Sequence, residues 1–500
     1  MKQPDRLFLL IKSLNKNEKI YFKRYSKKEE NNYLKLFDAI SGRKQYNEQE
    51  LLHLIGKQKF EKQLRVVKSR LFNGILKSLQ DYYYNASLSN VLKNELRNVE
   101  ILYKRGLFNS CFKILSKAKS EFYRSQNTDD LMLLEIIRWQ QKLLIEQKRG
   151  IRKTEGLLTD FKKEENEAHK KYINNRELRF LLDQIILIQT KSLSEFDMEK
   201  LERLALHPLL EEEKNALSVM AKFWFNNFWV IYYHLKEDTG LTIKFGKNYV
   251  RLMEENPMIL KNQPTYYLSA LLNLVIGYCG QKQYAEALAV INKIKKFPVT
   301  TTEINFLKFE HPSLLELIIH TSTGNFKKAA ALIGSINNSL NKYSERMSLS
   351  IQMHYYFEIA YALFGTREYK MSLKWVNKIL PLANKGIRED VIDATALFSL
   401  ILYYELGYDE LLKSKIRSLL LSYKRSGERY SSAILFIKAL EAIVKEKDPK
   451  KTIAIFKNLK LSIPQIYPEI IYWIDSKLHG KSFAEVVKQK NYDKNKLSLR

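Results

Sequence analysis

Turn-forming residues are scarce in this chain, whose 500 residues include only 17 Gly and 10 Pro. These two residues punctuate turns and strand connections, so their scarcity excludes a strand-rich design and favours long helices. Cysteine is nearly absent. Cys111 and Cys279 alone make neither a disulfide framework nor a metal cluster, and a reducing, cytoplasmic compartment is the expected home. Long apolar runs are missing as well. Leu7 to Ile11 is closed by Lys12, too short for the core of a secretory signal. No stretch approaches the roughly 20 apolar residues of a membrane span.

Catalytic signatures are also lacking. The segment from Gly150 to Gly156 has no Gly-Lys-Ser/Thr ending to cradle phosphate. There is no His-Glu-x-x-His and no cysteine pair at metal spacing. The histidines are scattered: His207 and His311 precede prolines at helix starts, while His234 and His354 sit among aromatics. Glu211, Glu212 and Glu213 follow Pro208, where carboxylates complement the positive end of a helix dipole. No catalytic residue, metal or cofactor is therefore expected, and the chain reads as a non-enzyme.

What is present is an ordinary apolar fraction, 45%, which supports a folded chain, and a formal charge of +29. The charge suggests nucleic acid or an acidic surface. Equally, lysine is inflated in any chain rich in Asn, Ile and Tyr, the mark of AT-rich coding sequence. The excess is concentrated at the ends: residues 1–85 hold 19 Lys/Arg against 9 Asp/Glu, and residues 477–500 hold 7 against 2.

Through the middle runs a repeat. A turn with a small residue, then an aromatic or apolar anchor, then a small residue three places on recurs in Gly324-Asn325-Phe326-Lys327-Lys328-Ala329. The same pattern appears around Tyr284 with Ala287, and Tyr369 with Ser372. Anchors at Phe108, Ile151, Phe196, Leu241, Tyr284, Phe326, Tyr369, Tyr408 and Pro449 are separated by 39 to 45 residues, the period of stacked helical hairpins. Gly106, Gly150, Gly240, Gly280, Gly324, Gly365 and Gly407 each precede an anchor by one to four residues, where a helix end turns with positive φ. After the anchors the apolar residues fall on one helix face, as in Ala287, Val290, Ile291 and Ile294. The small residue allows two helices to approach closely, and Cys111 occupies that slot after Phe108.

The Gly-x-Phe/Tyr-x-x-Ala turn resembles the inter-helix turn of tetratricopeptide repeats, and Leu274 and Tyr278 fit that family's first-helix pattern. The resemblance is best over 260–460 and extends back to about 90. Long helical-repeat chains of this kind are similar to members of bacterial families. It implies an all-α fold: an elongated, right-handed superhelix of about nine helical hairpins, an α-solenoid with a small helical N-terminal module. The expected organisation is a basic helical module or cap over 1–85, a repeat array over 86–462, and capping helices with a polar tail over 463–500.

In the N-terminal module, Asn15 to Glu18 and Asn47 to Glu50 both read as helix-capping arrangements. Helices are expected near 4–13, 16–27, 31–41, 48–56 and 59–84. Lys62, Arg65, Lys68 and Arg70 then lie on a basic helix, either set against nucleic-acid phosphates or solvating a cap. Near the other end, helices are expected at 464–478 and 482–489. In the array, Trp224, Phe228, Trp229 and Tyr232 make a broad aromatic face that would grip a protein or peptide partner, or would fill a helix–helix contact. The leading expectation is a scaffold or adaptor holding a protein or peptide on its concave face. The alternative is a nucleic-acid-associated regulator that uses the basic N-terminal module.

Overall fold

A computed structural model of the chain describes residues 5–26, 31–43, 64–84, 88–124, 130–146, 151–189, 195–385, 388–425, 431–446, 448–462 and 468–497. Among them every extended element is a helix and none is a strand. The chain divides into two compact units, Met1–Glu177 and Leu178–Arg500.

The first unit opens with α1 (Arg6–Ser13), α2 (Lys16–Tyr25), α3 (Asn31–Ser41) and α4 (Leu64–Tyr82). Asp5 starts α1 by accepting from the Leu7 and Phe8 N–H groups at 2.9 and 3.2 Å. Asn15 and Glu18 start α2 reciprocally, each side chain accepting from the other's backbone N–H at 3.0 and 2.7 Å. The Asn47–Glu50 motif and the helix expected at 48–56 lie outside the described residues. Among the described residues, Leu7, Ile11, Phe22, Phe37, Leu71 and Ile75 close a core built by these four helices. A second core, with Leu92, Val99, Cys111, Leu115, Ile136 and Leu143, unites α5 (Leu88–Tyr103), α6 (Phe108–Arg124) and α7 (Asp130–Glu146). Next comes α8 (Ile151–Gln189), which Leu178 carries into the second unit. Between the anchors Ile151 and Phe196 the chain thus runs as one helix of 39 residues where a hairpin repeat expects two.

The second unit is a succession of antiparallel helix pairs. After α9 (Glu195–Ala205) come α10 (Val219–Leu235) with α11 (Thr239–Glu255), and, past the short α12 (Pro257–Asn262), α13 (Pro264–Gly280) with α14 (Tyr284–Lys295). Past α15 (Thr302–Glu310) come α16 (Pro312–Ser322) with α17 (Phe326–Tyr343), and α18 (Leu349–Gly365) with α19 (Tyr369–Ile379). The last pairs are α20 (Glu389–Glu405) with α21 (Asp409–Arg425), α22 (Ser431–Lys445) with α23 (Pro449–Ser462), and α24 (Pro468–His479) with α25 (Phe483–Leu497). Proline at the first helical position, as in Pro257, Pro264 and Pro312, starts a helix where its missing N–H has no partner to lose.

One turn recurs through five of these pairs. The N–H groups of Asp238, Gln283, Asn325, Glu368 and Tyr408 donate to the carbonyls of Tyr233, Tyr278, His320, Leu363 and Tyr403 at 2.8–2.9 Å. The residue before each donor is left-handed: Glu237, Lys282, Gly324, Arg367 and Gly407, with φ of 58–73°. This is a helix C-terminal motif in which the left-handed residue lets the chain reach back for an orphan carbonyl. Two expectations are corrected by it. Gly280 and Gly365 are helical residues, and the left-handed positions beside them belong to Lys282 and Arg367. Gly365 is needed for space: a Cβ there would stand 2.1 Å from the Phe326 ring. Leu241 is not the first residue of its helix, which begins at Thr239, and Phe196 is 68% exposed, unsuited to anchoring a contact.

The small-residue slot is occupied as the repeat requires. Cys111, Thr242, Ala287, Ala329 and Ser372 are all buried, each three residues into the second helix of its pair. In two pairs the small residue bonds the carbonyl 12 positions earlier on the first helix, Cys111 Sγ to Val99 O at 3.5 Å and Ser372 Oγ to Ala360 O at 2.6 Å, whereas the Thr242 hydroxyl bonds Asp238 O at 2.8 Å. A larger side chain would hold the helices apart at that point. Leu412 fills the slot in the α20–α21 pair and is buried.

The last helix is longer than the 482–489 expected from sequence. Helix α25 continues to Leu497 and packs on α16, more than 160 residues upstream. A Cβ on Gly324 would meet the Ala484 carbonyl oxygen at 2.9 Å and the Lys488 nitrogen at 2.8 Å.

Candidate functional site

The last pair gives the second unit an inner face. Phe483, at the start of α25, is ringed by Phe326, Tyr361 and Phe364, with centroids 4.9–5.7 Å away. Trp473 of α24 donates its indole N–H to Glu405 at 2.5 Å, and Lys477 reaches the same carboxylate at 2.6 Å. The first helices α16, α18 and α20 therefore turn a common side toward α24 and α25.

Helices α18 and α24 each carry one largely enclosed carboxyl group. Glu358 of α18 and Glu469 of α24 are crowded on all sides by protein yet keep partial access to solvent, the condition of a groove floor. Burial pushes Glu358 up to about 7; the Thr321 hydrogen bond opposes the shift and the Glu469 charge adds to it. Burial likewise raises Glu469. The hydroxyl of Thr321 lies 3.0 Å from both the Ile318 carbonyl and Glu358 Oε2. A hydroxyl has one proton. If Thr321 donates it to Ile318, Glu358 must carry its own proton to complete the second bond, so the geometry accommodates a neutral Glu358. Among the described residues, neither carboxylate has a lysine or arginine at ion-pair distance. In a chain of net charge +29, that is a local reversal of sign.

Tyr361, one turn beyond Glu358, is 6% exposed. Its phenol is raised well above its ordinary value, first by burial and then by the charges of Glu469 and Glu358. Among the described residues its hydroxyl has no hydrogen-bond partner. Tyr472 is raised by burial and by Glu469, with Lys490 on α25 opposing.

The four aromatic residues singled out from sequence lie elsewhere, on α10. Trp224 and Phe228 are 5% and 0% exposed, inside the contact with the helices that follow. Trp224 meets Tyr266 edge-on at 4.9 Å, with the Arg179 guanidinium over its ring at 4.7 Å. Trp229 and Tyr232 are half-buried; Trp229 stacks on Phe245 at 6.0 Å, and Tyr232 donates to Glu202 at 2.9 Å. The cluster is a helix–helix contact whose outer edge alone meets solvent. Next to it, Asn273 of α13 donates to Asn227 of α10 at 2.8 Å, linking the first helices of adjacent pairs through amides.

In the N-terminal module, Lys62 lies outside the described residues. Arg65 and Arg70 on α4 are exposed, whereas Lys68 is half-buried and paired with Asp5. That pairing, together with the Leu7 and Phe8 N–H bonds, lowers the Asp5 carboxyl despite the opposing effect of burial. Lys68 is therefore committed to holding α1 on α4.

The carboxyl pair had no sequence signal. Glu358 and Glu469 are 111 positions apart and belong to no motif. Among the described residues no group of three or more His, Cys, Asp or Glu could hold a metal ion, and no helix is long and apolar enough to cross a membrane. Compared with known proteins, the chain matches no family model, no curated protein and no solved structure.

Proposed function

We propose that this chain is a non-catalytic scaffold or adaptor whose hairpins form a tetratricopeptide-like superhelix and hold a protein or peptide segment along its inner face. The observation that carries the reading is the recurrence of one left-handed turn at steps of 40 to 45 residues, from Glu237 to Gly407. Equal turns bring equivalent first helices side by side, so their exposed side chains form a ladder on which an extended or helical segment is read at intervals. The amide pair Asn227–Asn273 and Glu358 both lie on first helices.

The nucleic-acid reading retains the net charge and the exposed Arg65 and Arg70, but Lys68 serves an internal ion pair. The scaffold reading is tested by selecting peptides from a displayed library on the full chain and titrating them against variants. Asn273→Arg on a first helix is expected to weaken binding at least tenfold, and Glu410→Lys on the second helix α21 to leave it unchanged. Selected peptides that ignore the first-helix substitution, or a selection that enriches none, would count against the scaffold.

A further inference from the structure

We propose that the cleft between α24 and α25 is a binding site for a phosphate group, either free phosphate or the phosphoryl group of a small phosphomonoester. Among the described residues the cleft is lined by Asp475 and His479 of α24, Lys481 of the connecting turn, and Val486, Gln489 and Lys490 of α25. Its volume is about 250 Å³. That falls just under the roughly 300–1,000 Å³ of small-molecule pockets, so it has room for one compact group and not for a nucleic-acid strand or a partner helix.

Charge and donors decide what that group is. Asp475 is 1% exposed, and an ammonium stands at each of its oxygens: Lys460 of α23 at 2.5 Å and Lys490 at 3.3 Å. Its single charge neutralises one of these two lysines, and Lys481 adds another positive charge. Three lysines against one carboxylate leave the cluster at +2 with His479 neutral. A phosphomonoester carries about −1.5 to −2 at pH 7, the complementary charge. An ammonium has three N–H donors. Lys490 directs one at Asp475 and Lys481 donates one to Gln489 Oε1 at 2.9 Å, which leaves each with donors for phosphate oxygens. Gln489, accepting through its oxygen, keeps its amide N–H groups for the same purpose. Glu485 does not compete, because it accepts from the Ser482 N–H and hydroxyl at 2.8 and 2.7 Å at the start of α25. Asp475 is thus a buried strut that sets Lys490 in the cleft wall. An amine or a metal cation is the poorer occupant, since it would meet Lys481 and Lys490 before the one carboxylate. The site does not rest on the scaffold reading.

The experiment is calorimetric titration of the full chain with inorganic phosphate and with glycerol 2-phosphate, at pH 7.5 and constant ionic strength. Expected is saturable binding of one equivalent, at millimolar concentration or tighter. Lys490→Met, which leaves Lys460 on Asp475, should weaken it at least tenfold at unchanged helicity. Lys481→Met should do the same from an exposed turn position that makes no contact with Asp475, so its loss cannot be laid to the fold. Gln489→Leu should cost about threefold. Lys261→Met on α12 removes the same charge from an exposed site elsewhere in the second unit and should leave binding unchanged. Tighter binding of the ester identifies a phosphorylated small molecule as occupant; tighter binding of inorganic phosphate identifies the free ion. The site is overturned if neither ligand saturates, if Lys481→Met and Lys490→Met both bind as well as the parent, or if Lys261→Met weakens binding equally, the mark of diffuse attraction to a basic surface. It is also overturned if a short duplex oligonucleotide displaces phosphate and is lost with the same variants, which would assign the lysines to nucleic acid.

Discussion

Glu358 is the residue whose cost to the fold can be read directly. A carboxyl titrating near 7 when folded and near 4.3 when unfolded binds its proton longer in the native state. Native stability is unpenalised below about pH 4, falls as pH rises toward 7, and carries the full penalty above it. With partial solvent access discounted, the penalty is on the order of 1–3 kcal/mol. Glu358→Gln should therefore raise the unfolding free energy from urea titration at pH 8 by that amount and leave it nearly unchanged at pH 4.5. A gain of equal size at both pH values would mean that the benefit is packing and that the carboxyl is not strained. Cys279 is the quieter contrast: burial pushes its thiol up to about 11, so it stays protonated and packs as a small hydrophobe.

The helical pair is the element in which sequence was most informative. The second-helix starts at Tyr284, Phe326 and Tyr369 and the buried small residues after them are legible because spacing, burial and volume act along one local stretch of chain. What stayed hidden depends on backbone hydrogen bonds or on distant chain. Composition marks Gly280 and Gly365 as turn residues, yet the left-handed positions are Lys282 and Arg367, whose strain of roughly 1 kcal/mol each is offset by the bonds closed at Gln283 and Glu368. The return of α25 to Gly324 brings together segments more than 100 residues apart with no shared motif. These two kinds of position predict opposite outcomes. Arg367→Gly, relieving a left-handed side chain, should stabilise the chain by about 0.5–1 kcal/mol. Gly365→Ala, driving a methyl into the Phe326 ring, should destabilise it by about 2–3 kcal/mol. Denaturant midpoints of the two variants decide the assignment; if Gly365→Ala proved the stabilising one, Gly365 would be the turn residue after all.

At the scale of the molecule, stability should reside in separable cores. The α1–α4 core around Phe22 and Phe37 shares no residue with the one around Cys111 and Ile136, and both lie in the first unit. In the second unit, one large cluster joins Phe306 to Val487 because α24 and α25 return, which ties residues far apart in sequence into a single packed body. A stack with contacts only between neighbours would fray progressively from its end, whereas a stack whose last pair locks onto its middle should melt over 306–487 as a block. Cooperative all-or-none unfolding is then expected of each core and not of the whole chain. Differential scanning calorimetry should resolve at least two transitions. Phe37→Ala, removing a side chain with no solvent exposure, should lower the one belonging to α1–α4 by the equivalent of about 3–5 kcal/mol. Glu358→Gln at pH 8 should raise only the transition of the second unit. A single transition moved by both substitutions would require the cores to unfold together, and the separation argued from their private contacts would be wrong.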